Sequence, residues 1–234
     1  MGSILFFLSI LAIIATWWLS RQGLASKPWL EQGEAAVLPN IPVQTTDPAT
    51  IGLRVFLAVV GSFFALFISA YAMRMQLPHW RSLPLPPILW LNTIMIALSS
   101  IALHGATVAV RRGERSELKV SLLAAGIAAL AFLSGQLVAW QQLASEGYGL
   151  TINPANDFFY VLTGAHGLHL VGGLVVLART AGKAWRGPTT ERLRLPVELC
   201  ATYWHFLLLL WLVLLSIWTG WAGEFIDICR QLLT

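Results

Sequence analysis

The chain is 234 residues long, 57% hydrophobic and 11% charged, with a formal net charge of +4 and a mean hydropathy of +0.70. A soluble domain carries roughly 25% charged residues, so the composition excludes an ordinary soluble enzyme and defines an integral membrane protein. The basic excess sits in short loops between apolar runs, which argues against nucleic acid as a partner, and eleven tryptophans suit aromatic belts at two membrane faces.

Six apolar runs are long enough to cross a bilayer, over about 3–20, 52–77, 87–110, 118–143, 157–180 and 197–222. Alternation is absent and the runs are too long for barrel strands, so the expected fold class is an all-α integral membrane protein of about six helices. The first run has no basic stretch before it and no fitting small-x-small site before Arg21. It reads as a retained span rather than a cleaved leader. Loop one (21–51) is the longest and holds Pro28, Pro39, Pro42 and Pro48. It divides the chain into an N-terminal helix with its linker (1–50) and a five-helix membrane domain (51–234).

Of the fifteen Lys and Arg residues, twelve fall in or beside loops one, three and five; Arg74, Arg81 and Arg230 lie on the other side. The positive-inside rule then makes loops one, three and five cytoplasmic and puts both termini outside. Cys200 and Cys229 form no C-x-x-C or C-x-x-C-H pattern, which argues against a covalent c-type haem or a thiolate metal site.

Polar groups inside the spans carry the chemistry, because ionisable side chains at membrane depth are costly and face the protein or a partner. In span two, Val59-Val60 are apolar. In span three, Asn92 and His104 are polar points, and in span four Gln136, Gln141 and Gln142. Side-chain amides of this kind join helices in lipid. Span five holds His166 and His169, three apart and so expected on one helical face. Span six holds His205 in Tyr203-Trp204-His205-Phe206. By helical rise, His169 lies roughly 16 Å and His205 roughly 12 Å from the loop-five ends of their spans, so the two are close in depth. Imidazole is a common metal ligand, which leaves a haem b or metal site open; cross-helix hydrogen bonding is the alternative. Carboxylates are few: Asp157, Glu198 and Glu224, all near span ends. Glu198 precedes His205 by two turns and reads as a capping or interfacial group after Pro196. Arg179, Lys183, Arg186, Arg192 and Arg194 form a basic cluster in loop five, a composition that attracts anionic headgroups. No carboxylate–histidine relay crosses the membrane, and no P-loop, nucleophile elbow or H-E-x-x-H is present.

T-G-A-H-G-L-H-L-V-G-G (163–173) and Y-W-H-F-L-L-L-L-W-L (203–212) resemble the two signature segments of subunit III of haem–copper terminal oxidases. G-Q-L-V-A-W-Q-Q-L (135–143) with G-Y-G (147–149) resembles the family too, as does 56–71 more loosely, so the likeness covers about 52–222. The resemblance implies a subunit of a respiratory, oxygen-reducing, proton-translocating oxidase of the bacterial inner membrane. Such a subunit carries no cofactor of its own: haem and copper reside in partner subunits, with subunit I and subunit II as partners and phospholipid bound in a V-shaped cleft. It further implies support of proton uptake into subunit I. Carried over residue by residue, His166 and His169 match the H-G-L-H histidines, His205 and Trp204 belong to Y-W-H-F, and Glu198 matches a preceding carboxylate. Phe56 falls where the family has an aromatic beside lipid, and Lys183, with Arg179 one turn earlier, where it has a headgroup-binding base. A Ser-Glu pair common in span two is replaced by Val59-Val60, and the acid after Y-W-H-F is replaced by leucine in Leu207–Leu210. A subunit III-like accessory protein of a nitric oxide reductase, an independent haem b electron carrier using His104, His166, His169 and His205, and a small transporter are the other readings.

Overall fold

A computed structural model describes residues 47–75, 84–149, 154–187 and 190–220. The span expected over 3–20, His79, Arg81, Glu224, Cys229 and Arg230 lie outside the described residues. The described chain forms five helices: α1 (Pro48–Arg74), α2 (Ile88–Arg112), α3 (Arg115–Ser145), α4 (Pro154–Arg186) and α5 (Thr190–Trp218). All five are long and apolar enough to cross a membrane. The shortest has 25 residues and reaches roughly 37 Å, against a hydrocarbon core of about 30 Å.

The helix ends follow local chemistry. Pro48 opens α1 at its first turn, where a missing N–H costs nothing. Gly113 closes α2 with φ 80°, a left-handed conformation that only glycine adopts cheaply. The Glu114 amide then donates back to the Ala109 carbonyl at 3.0 Å, and α3 starts one residue later. Gly147 repeats the device after α3 with φ 87°, and the Tyr148 amide donates to the Leu143 carbonyl at 2.9 Å.

Two helices run further than their apolar patterns. The span expected to stop at 180 continues to Arg186, and the one expected to begin at 197 begins at Thr190, with Pro196 inside it. Hydropathy marks the lipid-immersed length and not the hydrogen-bonded length, so both helices extend into the polar interface. Pro196 denies the Arg192 carbonyl its usual donor, which is tolerable at a wet helix end. Arg179, Lys183, Arg186, Arg192 and Arg194 therefore stand on helix rather than in a loop.

α2, α3, α4 and α5 close into a ring in which α2 packs on α3 and α5, and α4 on α3 and α5. Its interior is filled by fully buried Trp204 and Trp211 of α5, Phe132 of α3, Phe159 of α4 and Leu89, Ile96 and Leu103 of α2. Buried Ala106, Ala109, Ala125, Ala129 and Ala139 let α2 and α3 approach closely, the usual basis of helix association in lipid. The approach is close enough for Ser99 Oγ of α2 to donate to the Ala125 carbonyl of α3 at 2.8 Å. α1 stands apart, packing on α4 and α5 through Val60, Phe64 and Tyr71, its buried residues.

Candidate lipid cleft and intramembrane polar groups

α1 seats on its neighbours in the half nearer Arg74. Phe64 and Val60 cluster with Leu162 of α4 and Leu210 and Leu214 of α5, and Tyr71 meets Phe158 edge-on at 5.7 Å. In the half nearer Pro48 the helices part: Ile51, Val55 and Val59 are at least half exposed. The opening is a cleft of about 500 Å³ lined by Leu53 and Phe56 of α1, Leu168, His169, Gly172, Gly173 and Val176 of α4, and Leu199, Cys200, Tyr203 and Trp204 of α5. Its walls are almost wholly apolar side chains, so the site suits a hydrocarbon ligand; an apolar cleft with few polar groups is the usual form of such a site.

Three aromatic groups converge at its back. The Phe56 ring lies 6.4 Å from the His169 ring and 6.2 Å from the Tyr203 ring. Tyr203 donates its hydroxyl to the His169 carbonyl at 2.8 Å, tying α5 to α4. Gly173 permits the close crossing, since a Cβ there would meet Tyr203 Cε1 at 2.7 Å and Trp204 Cζ3 at 2.8 Å. Arg179 and Lys183 do not line the cleft. They follow Val176 by three and seven residues, on the same helical face, roughly 5 and 11 Å beyond it along the axis. Both are exposed.

His166 and His169 do not share a face. Three residues turn a helix by 300°, and the remaining 60° separates them here. His166 is fully buried in the ring, edge-on to Phe132 at 5.7 Å and 5.4 Å from Trp211. His169 turns towards α1, 5.8 Å from Phe64, with Nδ1 2.7 Å from the Ala165 carbonyl. His205 points a third way, towards α2, with Nδ1 2.5 Å from Ser100 Oγ and its ring 6.0 Å from His104. Histidines that the sequence leaves as one candidate ligand set are thus divided among the ring interior, the cleft and the α2–α5 edge. Among the described residues, no group of three or more His, Cys, Asp or Glu side chains stands close enough to hold a metal ion.

Glu198 is also on the α2 side of α5. Its Oε1 accepts from Arg111 Nε at 3.0 Å and from Arg194 Nε at 3.2 Å. Trp204 is buried and donates its indole N–H to Ser99 Oγ at 2.7 Å. Trp211 donates to Thr93 Oγ1 at 3.0 Å, Trp140 to Thr163 Oγ1 at 3.1 Å, and Asn92 to Gln136 at 3.3 Å. Asn92 and Gln136 are legible as amide links in the sequence. Ser99, Ser100, Thr93 and Arg111 are not singled out there: the serines are a polar pair inside an apolar run, and Arg111 is hidden in a basic cluster that topology alone explains.

Five apolar helices, four of them closed into a ring stitched by buried hydrogen bonds and the fifth leaning against it over an apolar cleft, define a multi-pass helical membrane protein. The chain belongs to the cytochrome c oxidase subunit III family, whose profile matches residues 5–223. That match reaches back well before residue 52. Similar proteins are the cytochrome c oxidase subunit 3 of Thermostichus vulcanus, 31% identical over 183 residues (73% of this chain, 86% of that one), and that of Synechocystis sp., 29% identical over 174 residues (72% and 73%). The probable cytochrome c oxidase subunit 3 of Mycobacterium tuberculosis is 27% identical over 177 residues (72% and 85%).

Proposed function

We propose that the chain is the non-catalytic subunit III of a respiratory haem–copper oxidase, that it binds phospholipid in the α1–α4–α5 cleft, and that it packs on subunit I and supports proton uptake there. Family membership supports the assignment to an oxidase. The observation that carries the lipid reading is the apolar cleft of about 500 Å³, continued along one face of α4 by Arg179 and Lys183. An acyl chain fits the apolar part and a phosphate headgroup the two cations, at a spacing that matches the depth of the interface. Phe56 and His169 form the inner wall against the chain. The other two residues carried over to lipid, Glu198 and His205, lie against α2 and serve cohesion there.

The orientation that goes with this reading places the basic helix ends in the cytoplasm and both termini outside, in a bacterial inner membrane. Residues 1–50 form a helix and linker ahead of the 51–234 domain. Haem, copper and the electron donor's site belong to the partner subunits.

Native mass spectrometry of the tagged chain after gentle detergent extraction tests the proposal. The expected result is a complex with a large haem–copper subunit and retained phospholipid. A chain that emerges alone and carries haem overturns it.

A further inference from the structure

On the α2–α5 edge, away from the cleft, the two antiparallel helices present polar groups in register. Arg111 and Glu198 pair at 3.0 Å. Seven residues inward on each helix stand His104 and His205, about 10 Å deeper, with ring centroids 6.0 Å apart. Both histidines are exposed. His205 uses Nδ1 on Ser100, and His104 has no hydrogen-bond partner among the described residues. Ser100 is buried and its hydroxyl, bonded to the imidazole, leaves Nε2 of His205 as an outward N–H donor.

Two solvent-stripped imidazoles ten ångströms below the interface are costly against lipid tails, which offer no acceptor. The lipid-facing surface of α3 behaves differently. There Val120, Leu123, Ile127, Leu130 and Leu137 are exposed, and the exposed Ser134 satisfies its hydroxyl on its own helix at the Leu130 carbonyl. The α2–α5 edge is also charged at its rim: Arg111, Arg194 and Glu198 leave one net positive charge, with both guanidinium groups more than half exposed.

We infer that the His104–His205 edge is the docking face for a membrane-spanning helix of the large oxidase subunit. That helix offers hydrogen-bond acceptors opposite the two imidazoles and an acidic group at the interface opposite Arg111 and Arg194. The inference rests on the oxidase assignment above. It assigns the lipid cleft and the protein–protein contact to opposite edges of the molecule, which lets lipid exchange without loosening the subunit.

The test uses the whole complex with a photo-crosslinking residue placed at Ile101, beside His104, or at Ile127 on α3. Crosslinking from position 101 to the large subunit, and not from position 127, is expected. His104→Leu, which breaks no internal hydrogen bond, should lower retention of the large subunit in detergent roughly three- to tenfold, the effect of losing one intramembrane hydrogen bond. The melting temperature of the isolated chain should stay unchanged. Crosslinking from 101 only to lipid or to a second copy of this chain, or equal capture from 127, overturns the docking face while leaving the oxidase assignment intact. Absence of any haem–copper subunit from the unsubstituted preparation overturns both.

Discussion

Gly173 lies flat against the ring of Trp204: a Cβ at residue 173 would sit 2.8 Å from Trp204 Cζ3. The contact fixes how closely α4 and α5 cross at the base of the cleft. Gly173→Ala must push back a fully buried indole, and overpacking of this kind costs about 1–3 kcal/mol. Gly172, its neighbour, has nothing within 4 Å, so Gly172→Ala should be neutral or slightly stabilising. Thermal unfolding of the detergent-solubilised protein should separate the two variants; equal melting temperatures would contradict the close crossing.

Ser99 joins three helices, accepting from Trp204 Nε1 of α5 and donating to Ala125 O of α3. Ser99→Ala strands the buried indole N–H, a loss of about 1–3 kcal/mol. The check is a lowered melting temperature together with a shifted tryptophan emission maximum. Thr202→Ala, on the exposed side of α5 with its hydroxyl bonded only to its own helix, should change neither.

The Glu198 trio is half in water: Arg111 is 57% and Arg194 60% exposed, Glu198 29%. Screening limits such pairs to about 0–1 kcal/mol each. Glu198→Gln should therefore lower the melting temperature by only a few degrees at low salt. The gap from the unsubstituted protein should close as sodium chloride is raised. A gap that persists at molar salt would mean that the carboxylate is buried by something beyond this chain.

Headgroup binding can be separated from acyl binding. Replacing Arg179 and Lys183 together by glutamine should lower bound anionic phospholipid, at roughly 1 kcal/mol per cation, and leave zwitterionic lipid less affected. Phe56→Ala should lower both classes, since the aromatic wall touches the chain and not the headgroup. Lipid mass spectrometry of the purified complexes reads the difference; unchanged lipid in all three removes the cleft as a binding site.

The apolar runs of spans two to six and their order were readable from composition alone, because a bilayer imposes length and hydropathy so strongly. Their ends were less readable. Thr190 and Arg186 lie beyond the lipid, where hydropathy is silent, and Pro196 looks like a boundary when read without its surroundings. Within the site, Asn92 and Gln136 were visible because amides in lipid need partners. The division of His166 from His169 was not, since spacing fixes their angle to each other but not where the ring of helices places its interior. Ser100 and Ser99 gained their roles only once α5 was set beside α2, a relation across 105 residues that no local pattern carries.

α1 packs on α4 and α5, and those are the last two described helices of the chain. During synthesis α1 enters the bilayer first, yet its seat does not exist until some 80 residues more have been made, from Arg74 to the start of α4 at Pro154. At about 5–20 residues per second it waits several seconds as a lone helix in lipid. Its uniformly apolar outer surface, with Ile51, Val55, Val59 and Leu66 all exposed, is suited to that wait. The same delay leaves the space beside α4 and α5 open to membrane lipid before the last helix of the group arrives.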